Sequence, residues 1–325
     1  MSIRVETAGL LTTVQDSGRF GFQKYGVLAS GAMDTVALRL ANLLAGNQEG
    51  AAALEITLLG PKLVFDKAAV IALAGGNLSP AVDGVSLPLW RPVYIPAGKT
   101  LTFGRAVSGC RIYLAVAGGI HVPEVMGSRS TYLRAGMGGF CGRALQAGDV
   151  LETGASMLWR GMASDEAVVL PWGASHELRP PYQDDPVLRV VRGPEYYRFD
   201  EESRRKLWTE RFRVTPQSDR MGYRLEGVPL ALTEPLDMVS SAVGAGTIQV
   251  PPEGNPIVLL ADRQTAGGYP RIAHVISVDL PLIAQVKPGG QIRFEEVALE
   301  EAQELYVMRE HSIAQFRQGL ALQAR

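Results

Sequence analysis

At 325 residues the chain exceeds one ordinary core, so two domains are the starting expectation. Hydrophobic residues make up 46% and charged residues 20%, and 32 Lys plus Arg against 33 Asp plus Glu leave no basic field for a phosphate backbone, which argues against nucleic-acid binding. No apolar run approaches the ~20 residues that span a bilayer. Arg4 and Glu6 interrupt the N-terminal apolar stretch, and Cys110 and Cys141 stand outside any CxxC, so a cytoplasmic protein with two reduced, packed thiols is expected.

Along the chain, Gln15-Asp-Ser-Gly-Arg-Phe-Gly21 is the first concentration of polar residues beside glycine. Asp16 there serves either as an Asx-turn cap, as an ion-pair partner of Arg19, or with Arg19 in binding. A glycine-bearing loop, residues 26–34, then runs into a helix whose apolar positions are Val36, Leu40, Leu43 and Leu44. Asp34 suits its first turn as a cap and Gly46 its stop.

Glycine (36) and proline (20) mostly punctuate short apolar runs, as expected for many strands joined by tight turns. One pattern recurs at residues 95–103, 145–153 and 286–294: an apolar residue, a turn at Gly98, Gly148 or Gly289, then alternating strand residues. A second pattern is an apolar run reaching a Gly-Gly pair, at residues 70–76, 112–119 and 257–268, read as strand ends opening into loops.

The boundary is expected between Pro171 and Pro186, in a proline-rich stretch containing Gln183, Asp184 and Asp185. The fold class is therefore mainly β with a few helices. The domains are a β-rich one over residues 1–180, a second over 186–297, and a helical tail over 298–325. Residues 200–210 predict a short helix. In the tail, Ala302, Tyr306, Ile313, Phe316 and Leu320 form a stripe at three- and four-residue steps, which predicts an amphipathic helix docked on its own domain, with a break near Arg309 and Glu310.

Two further polar segments lie in the second half. In Pro216-Gln-Ser-Asp-Arg-Met-Gly-Tyr-Arg224, Arg220 offers a planar fork for a carboxylate or phosphate, unless it simply pairs with Asp219 in solvent. In Leu259-Leu-Ala-Asp-Arg-Gln-Thr-Ala-Gly-Gly-Tyr-Pro270, an apolar strand delivers Asp262, Gln264 and Thr265 to its end. Gly267 and Gly268 then let backbone approach a ligand, with Tyr269 beside them. Gly98-Lys-Thr100 only mimics a phosphate-binding loop, because Val93 stands where its first glycine belongs. His121, His176, His274 and His311 are too scattered for a metal site or triad, and only His274 is kept, for its neighbourhood.

The stretches Val14-Gln-Asp-Ser-Gly-Arg19, Gly31-Ala-Met-Asp34, Ser128-Arg-Ser-Thr131, Ser218-Asp-Arg-Met-Gly222, Ile248-Gln-Val-Pro-Pro252 and Asp262-Arg-Gln-Thr-Ala-Gly-Gly-Tyr269 closely resemble the C-type subunits of bacterial ATP-dependent 5-oxoprolinase. That family is also called the KipI-antagonist (KipA) family or allophanate hydrolase subunit 2, and is similar to half of the carboxyltransferase domain of urea carboxylases. The resemblance implies two cyclophilin-like β-barrel domains, a B-type (KipI-like) partner and an A-type subunit. It also implies that the complex opens 5-oxo-L-proline to L-glutamate with ATP hydrolysis. For such a ring opening, the composition of the polar loops suggests catalytic roles for Asp219 or Asp262 (orienting a nucleophile or acting as base), Arg220, Gln264 and Thr265, and substrate-binding roles for Gly267, Gly268, Tyr269, Asp16 and Arg19. ATP belongs to the complex, with no phosphate loop in this chain to hold it, and no Met-Lys-Met segment marks attached biotin. A urea- or allophanate-type carboxyltransferase component and a non-enzymatic antagonist of a KipI-like kinase inhibitor share the same fold, which by itself does not separate the three.

Overall fold

The computed structural model describes residues 2–154 and 163–323. The chain forms two compact units: residues 1–19, 30–180 and 311–325, and residues 20–29 and 181–310. The crossing into the second unit thus falls between Pro180 and Pro181. The expectation of a mainly β chain is borne out.

In the first unit the strands form two sheets. A seven-stranded sheet runs Ile120–His121, Val150–Thr153, Ser2–Thr7, Lys62–Phe65, Thr100–Phe103, Pro80–Val82, Val85–Ser86; a six-stranded one runs Val168–Val169, Pro92–Ile95, Ala69–Asn77, Ser108–Val116, Ala53–Thr57, Leu11–Gln15. Alternation along these strands sends Ile3, Val5, Leu63, Phe65 and Leu101 of one sheet and Val14, Leu54, Ile71, Ile112 and Leu114 of the other into one apolar core. Helix α1 (Thr35–Leu44) is capped by Asp34, whose carboxylate accepts from the Ala37 N–H, as its place before the apolar stripe suggested.

The second unit contains a closed barrel ordered Val187–Arg192, Arg271–Val275, Thr247–Gln249, Ile257–Leu259, Gly222–Glu226, Phe212–Val214, Gln291–Glu296. It closes through parallel pairing of Val187–Val190 with Arg293–Glu296. Helix α2 (Glu201–Thr209) is capped by Asp200, and the short α3 (Leu280–Ala284) buries Leu282 and Ile283.

The recurrent turns behave as expected: Gly98, Gly148 and Gly289 all take φ between +79° and +91°, which a side chain would strain. The Gly75–Gly76 pair does not open a loop, however. Its strand continues to Asn77, and the register against Ser108–Val116 shifts there, a bulge that Gly75 accommodates at φ +108°.

Helix α4 (Leu299–Gln323) runs unbroken through Arg309 and Glu310. Both are good helix formers, and the Arg309 guanidinium donates to the Ser277 carbonyl at 2.9 Å, fixing the turn where a break was expected. Residues up to Glu310 cluster with the second unit and those from His311 with the first, where Ile313 is buried and Arg317 pairs with Glu49. Among the described residues no helix is long and apolar enough to cross a membrane.

Candidate functional site

In the barrel, Gly222–Glu226 pairs antiparallel with Ile257–Leu259, Gly222 opposite Leu259. The chain before Gly222 and the chain after Leu259 therefore leave from the same end of this ladder. The two polar segments singled out in the sequence meet there. Backbone bonds lace them together, Leu260 N–H to Met221 O at 3.0 Å and Asp262 N–H to Arg220 O at 2.8 Å. Across this junction Arg220 Nε and Nη2 donate to Asp262 Oδ2 and Oδ1 at 2.9 and 3.1 Å, with both residues only 5% exposed.

This bidentate pair alters the chemistry expected of each member. Arg220 was expected to offer its fork to a ligand anion, and Asp219 or Asp262 to orient a nucleophile or act as base. In the structure the fork and the carboxylate face each other, because a buried charge is tolerable only when paired. Asp219 is exposed; its Oδ1 accepts from the N–H groups of Met221 at 2.8 Å and Gly222 at 3.3 Å, an Asx turn that shapes the loop.

Past Asp262 the half-buried Gln264 donates from Nε2 to Gln249 Oε1 at 3.4 Å, and the buried Gln249 donates to the Tyr269 carbonyl at 3.3 Å. The Thr265 carbonyl accepts from Val243 N–H, and Ala266–Gly267 forms a short ladder with Ser241–Ala242. At Gly267 a Cβ would sit 2.5 Å from Gln249 Nε2, so a side chain there would displace the Gln249 amide. At Gly268 a Cβ would make only ordinary contacts. Tyr269, 45% exposed, lines a polar cleft of about 770 Å³ with Gln217, Arg213, Arg224, Glu253 and Asn255, so both polar segments reach this cleft.

Asp16 and Arg19 lie in the first unit, apart from the other eight in sequence and unit. The Asp16 carboxylate, 8% exposed, accepts from Gly18 N–H at 2.8 Å, Ser128 Oγ at 2.7 Å, Arg129 N–H at 2.5 Å and Ser130 Oγ. Arg19 is fully buried and donates to the carbonyls of Val125 at 2.8 Å and Ser130 at 3.0 Å. Of the readings open for Asp16, the Asx turn is the one observed, extended to clamp the loop at 128–130.

Several residues escaped the sequence reading. Glu55 and Tyr113 face each other across paired strands, Tyr113 Oη donating to Glu55 Oε2 at 2.7 Å and accepting from the Asp34 N–H at 2.8 Å. Burial first, then the Glu55 charge, pushes the Tyr113 phenol well above its ordinary range. The signal was an acid inside the apolar strand Ala53–Thr57. In the second unit the omissions are Gln249 and Arg263; His274, kept for its neighbourhood, lies near them. Burial, then the Arg263 charge, holds His274 below the ordinary imidazole value. No group of His, Cys, Asp and Glu suited to a metal occurs among the described residues.

A closed barrel joined in one chain to a two-sheet β unit defines the class. Residues 25–296 match the family described as carboxyltransferase domain, subdomain A and B, and the chain belongs to it. It is 42% identical over 302 residues to the C-type subunit of 5-oxoprolinase from Escherichia coli, covering 92% of this chain and 93% of that protein. The corresponding protein of Haemophilus influenzae is 40% identical over 305 residues, covering 94% of each. The crystal structure of Kluyveromyces lactis urea amidolyase superposes with a TM-score of 0.89 at 33% identity, over 97% of this chain but 20% of that much longer one. The family resemblance drawn from the motifs is borne out.

Proposed function

We propose that this chain is the C-type member of a complex that opens 5-oxo-L-proline to L-glutamate with ATP hydrolysis, beside a B-type (KipI-like) and an A-type subunit. The observation that carries this reading is identity of 40% or more to proteins of that name, sustained over nearly the whole length of both partners. The chemistry accounts for the energy source. A lactam carbonyl is a poor electrophile, and transfer of a phosphoryl group to its oxygen makes the carbon open to water. The C–N bond then breaks, the nitrogen keeps its electron pair and takes a proton, and phosphate leaves to a second water.

In this reading the protein supplies donors where oxyanion charge develops. Gln264, Thr265 and the Gly267–Gly268 backbone are proposed for that task, Tyr269 as a wall of the substrate site, and Asp219 as the carboxylate that orients water. The Arg220–Asp262 pair is proposed to hold the two loops in register rather than to touch the substrate. Asp16 and Arg19 fix a loop of the first unit. ATP is assigned to the complex and not to a site in this chain. The likeness to urea amidolyase favours a second reading, a carboxyltransferase component acting on urea or a related amide.

The test is turnover by the three proteins mixed, with this one omitted as control. Glutamate and ADP are expected to form from 5-oxo-L-proline only in the complete mixture. Equal turnover without this chain would overturn the reading; carboxylation of urea, with no ring opening, would replace it by the second.

A further inference from the structure

Arg263 lies between Asp262 and Gln264, yet it joins neither the buried ion pair nor the glutamine chain. Its Nε donates to the Val243 carbonyl at 3.3 Å and its Nη1 to the Leu260 carbonyl at 3.2 Å, both at or beyond the long end of the hydrogen-bond range. Among the described residues no carboxylate pairs with it. Asp262, its immediate neighbour, is taken by Arg220. Arg263 is half-buried, and burial pushes its pKa down with no acid to offset the cost. Fully buried cations are ordinarily paired; half-buried Arg263 has two long carbonyl contacts and, among the described residues, no carboxylate against it.

The surroundings point the same way. His274 reaches the same stretch of backbone: its Cε1 would stand 3.3 Å from a Cβ at Gly244, next to the Val243 carbonyl to which Arg263 donates. His274 Nδ1 lies 3.2 Å from Thr247 Oγ1, and that oxygen accepts from the Gly244 N–H at 3.1 Å. Two basic side chains and a hydroxyl thus gather beside the Val243 and Gly244 backbone. An arginine with unused N–H donors is suited to a planar, two-oxygen anion.

We propose that Arg263, with His274 beside it, is an anion-binding site of the second unit that takes a small carboxylate or phosphate. The identity of the anion rests on the ring-opening reading: it is the carboxylate of 5-oxo-L-proline or the phosphate of its activated form. The chain has four histidines, so the ring signal of His274 can be followed by NMR in the full chain. The probes are 5-oxo-L-proline, inorganic phosphate and 2-pyrrolidone, which has the lactam but no carboxylate.

A saturable shift of His274 is expected with 5-oxo-L-proline, with phosphate, or with both, and none with 2-pyrrolidone; which anion acts identifies the source. Arg263→Gln should weaken that response by about tenfold or more, the loss expected for a hydrogen bond to a charged group, and Arg263→Lys should restore part of it. If Arg263→Gln does not fold, the comparison of Arg263→Lys with wild type still decides, because shortening the fork to a point charge must weaken a two-oxygen contact. An equal response in wild type and variant, or no response to any anion, overturns the site. In the complete three-protein assembly, unchanged KM for 5-oxo-L-proline with Arg263→Gln rejects the site while leaving ring opening standing. A His274 response with no glutamate formed rejects ring opening while leaving the anion site standing.

Discussion

Asp262→Ala is expected to destabilise the second unit by about 3–5 kcal/mol, the usual cost of stranding one member of a buried ion pair. The reason is local. Arg220 is 5% exposed and directs two N–H donors onto the Asp262 carboxylate, so removing that carboxylate leaves a desolvated guanidinium. The backbone bonds between Arg220 and Asp262 and between Met221 and Leu260 depend on the same register and should fray with it. Replacing both partners, as Arg220→Met with Asp262→Leu, should recover most of the loss, since an apolar pair of similar volume leaves no orphaned charge. Urea denaturation checks both. A single variant as stable as wild type, or a double variant no better than the single, would contradict this account of the pair.

In the first unit, Asp16→Ala should cost about 3 kcal/mol, given roughly 1–3 kcal/mol for each buried donor left without an acceptor. The carboxylate collects two backbone N–H groups, from Gly18 and Arg129, and two serine hydroxyls, from Ser128 and Ser130. The hydroxyls can rotate to other acceptors, whereas the two N–H groups are fixed by the chain, so they set most of the penalty. Asp16→Asn keeps one acceptor oxygen and should fall between. Hydrogen exchange at Gly18 and Arg129 is the sharpest readout. Exchange no faster than wild type in Asp16→Ala would show that the clamp is not what holds the loops at 16–19 and 128–130.

The strands, their turns and three of the helices were legible because each is written locally: alternation, a turn glycine, a capping aspartate at Asp34. The convergence of residues 216–224 with 260–269 was legible as chemistry, through polar residues crowded beside glycine. What each side chain does there was not, because it depends on the register that sets Gly222 against Leu259. That register turns Arg220 from a ligand donor into the partner of Asp262. It also leaves Arg263, for which the sequence suggested no role, with no carboxylate partner among the described residues. The continuity of α4 was missed for a similar reason: the contact of Arg309 with Ser277 O joins positions 32 residues apart.

Whether the loops carried by the Gly222–Leu259 ladder act on 5-oxo-L-proline is tested most directly at Gln264. Its bond to Gln249 is long, 3.4 Å, and therefore weak, so Gln264→Ala should leave the unfolding midpoint nearly unchanged. As a donor to the developing oxyanion, however, its loss should lower glutamate formation by the assembled complex by about 10²-fold. A folded Gln264→Ala complex turning over at the wild-type rate would contradict a role for these loops in ring opening.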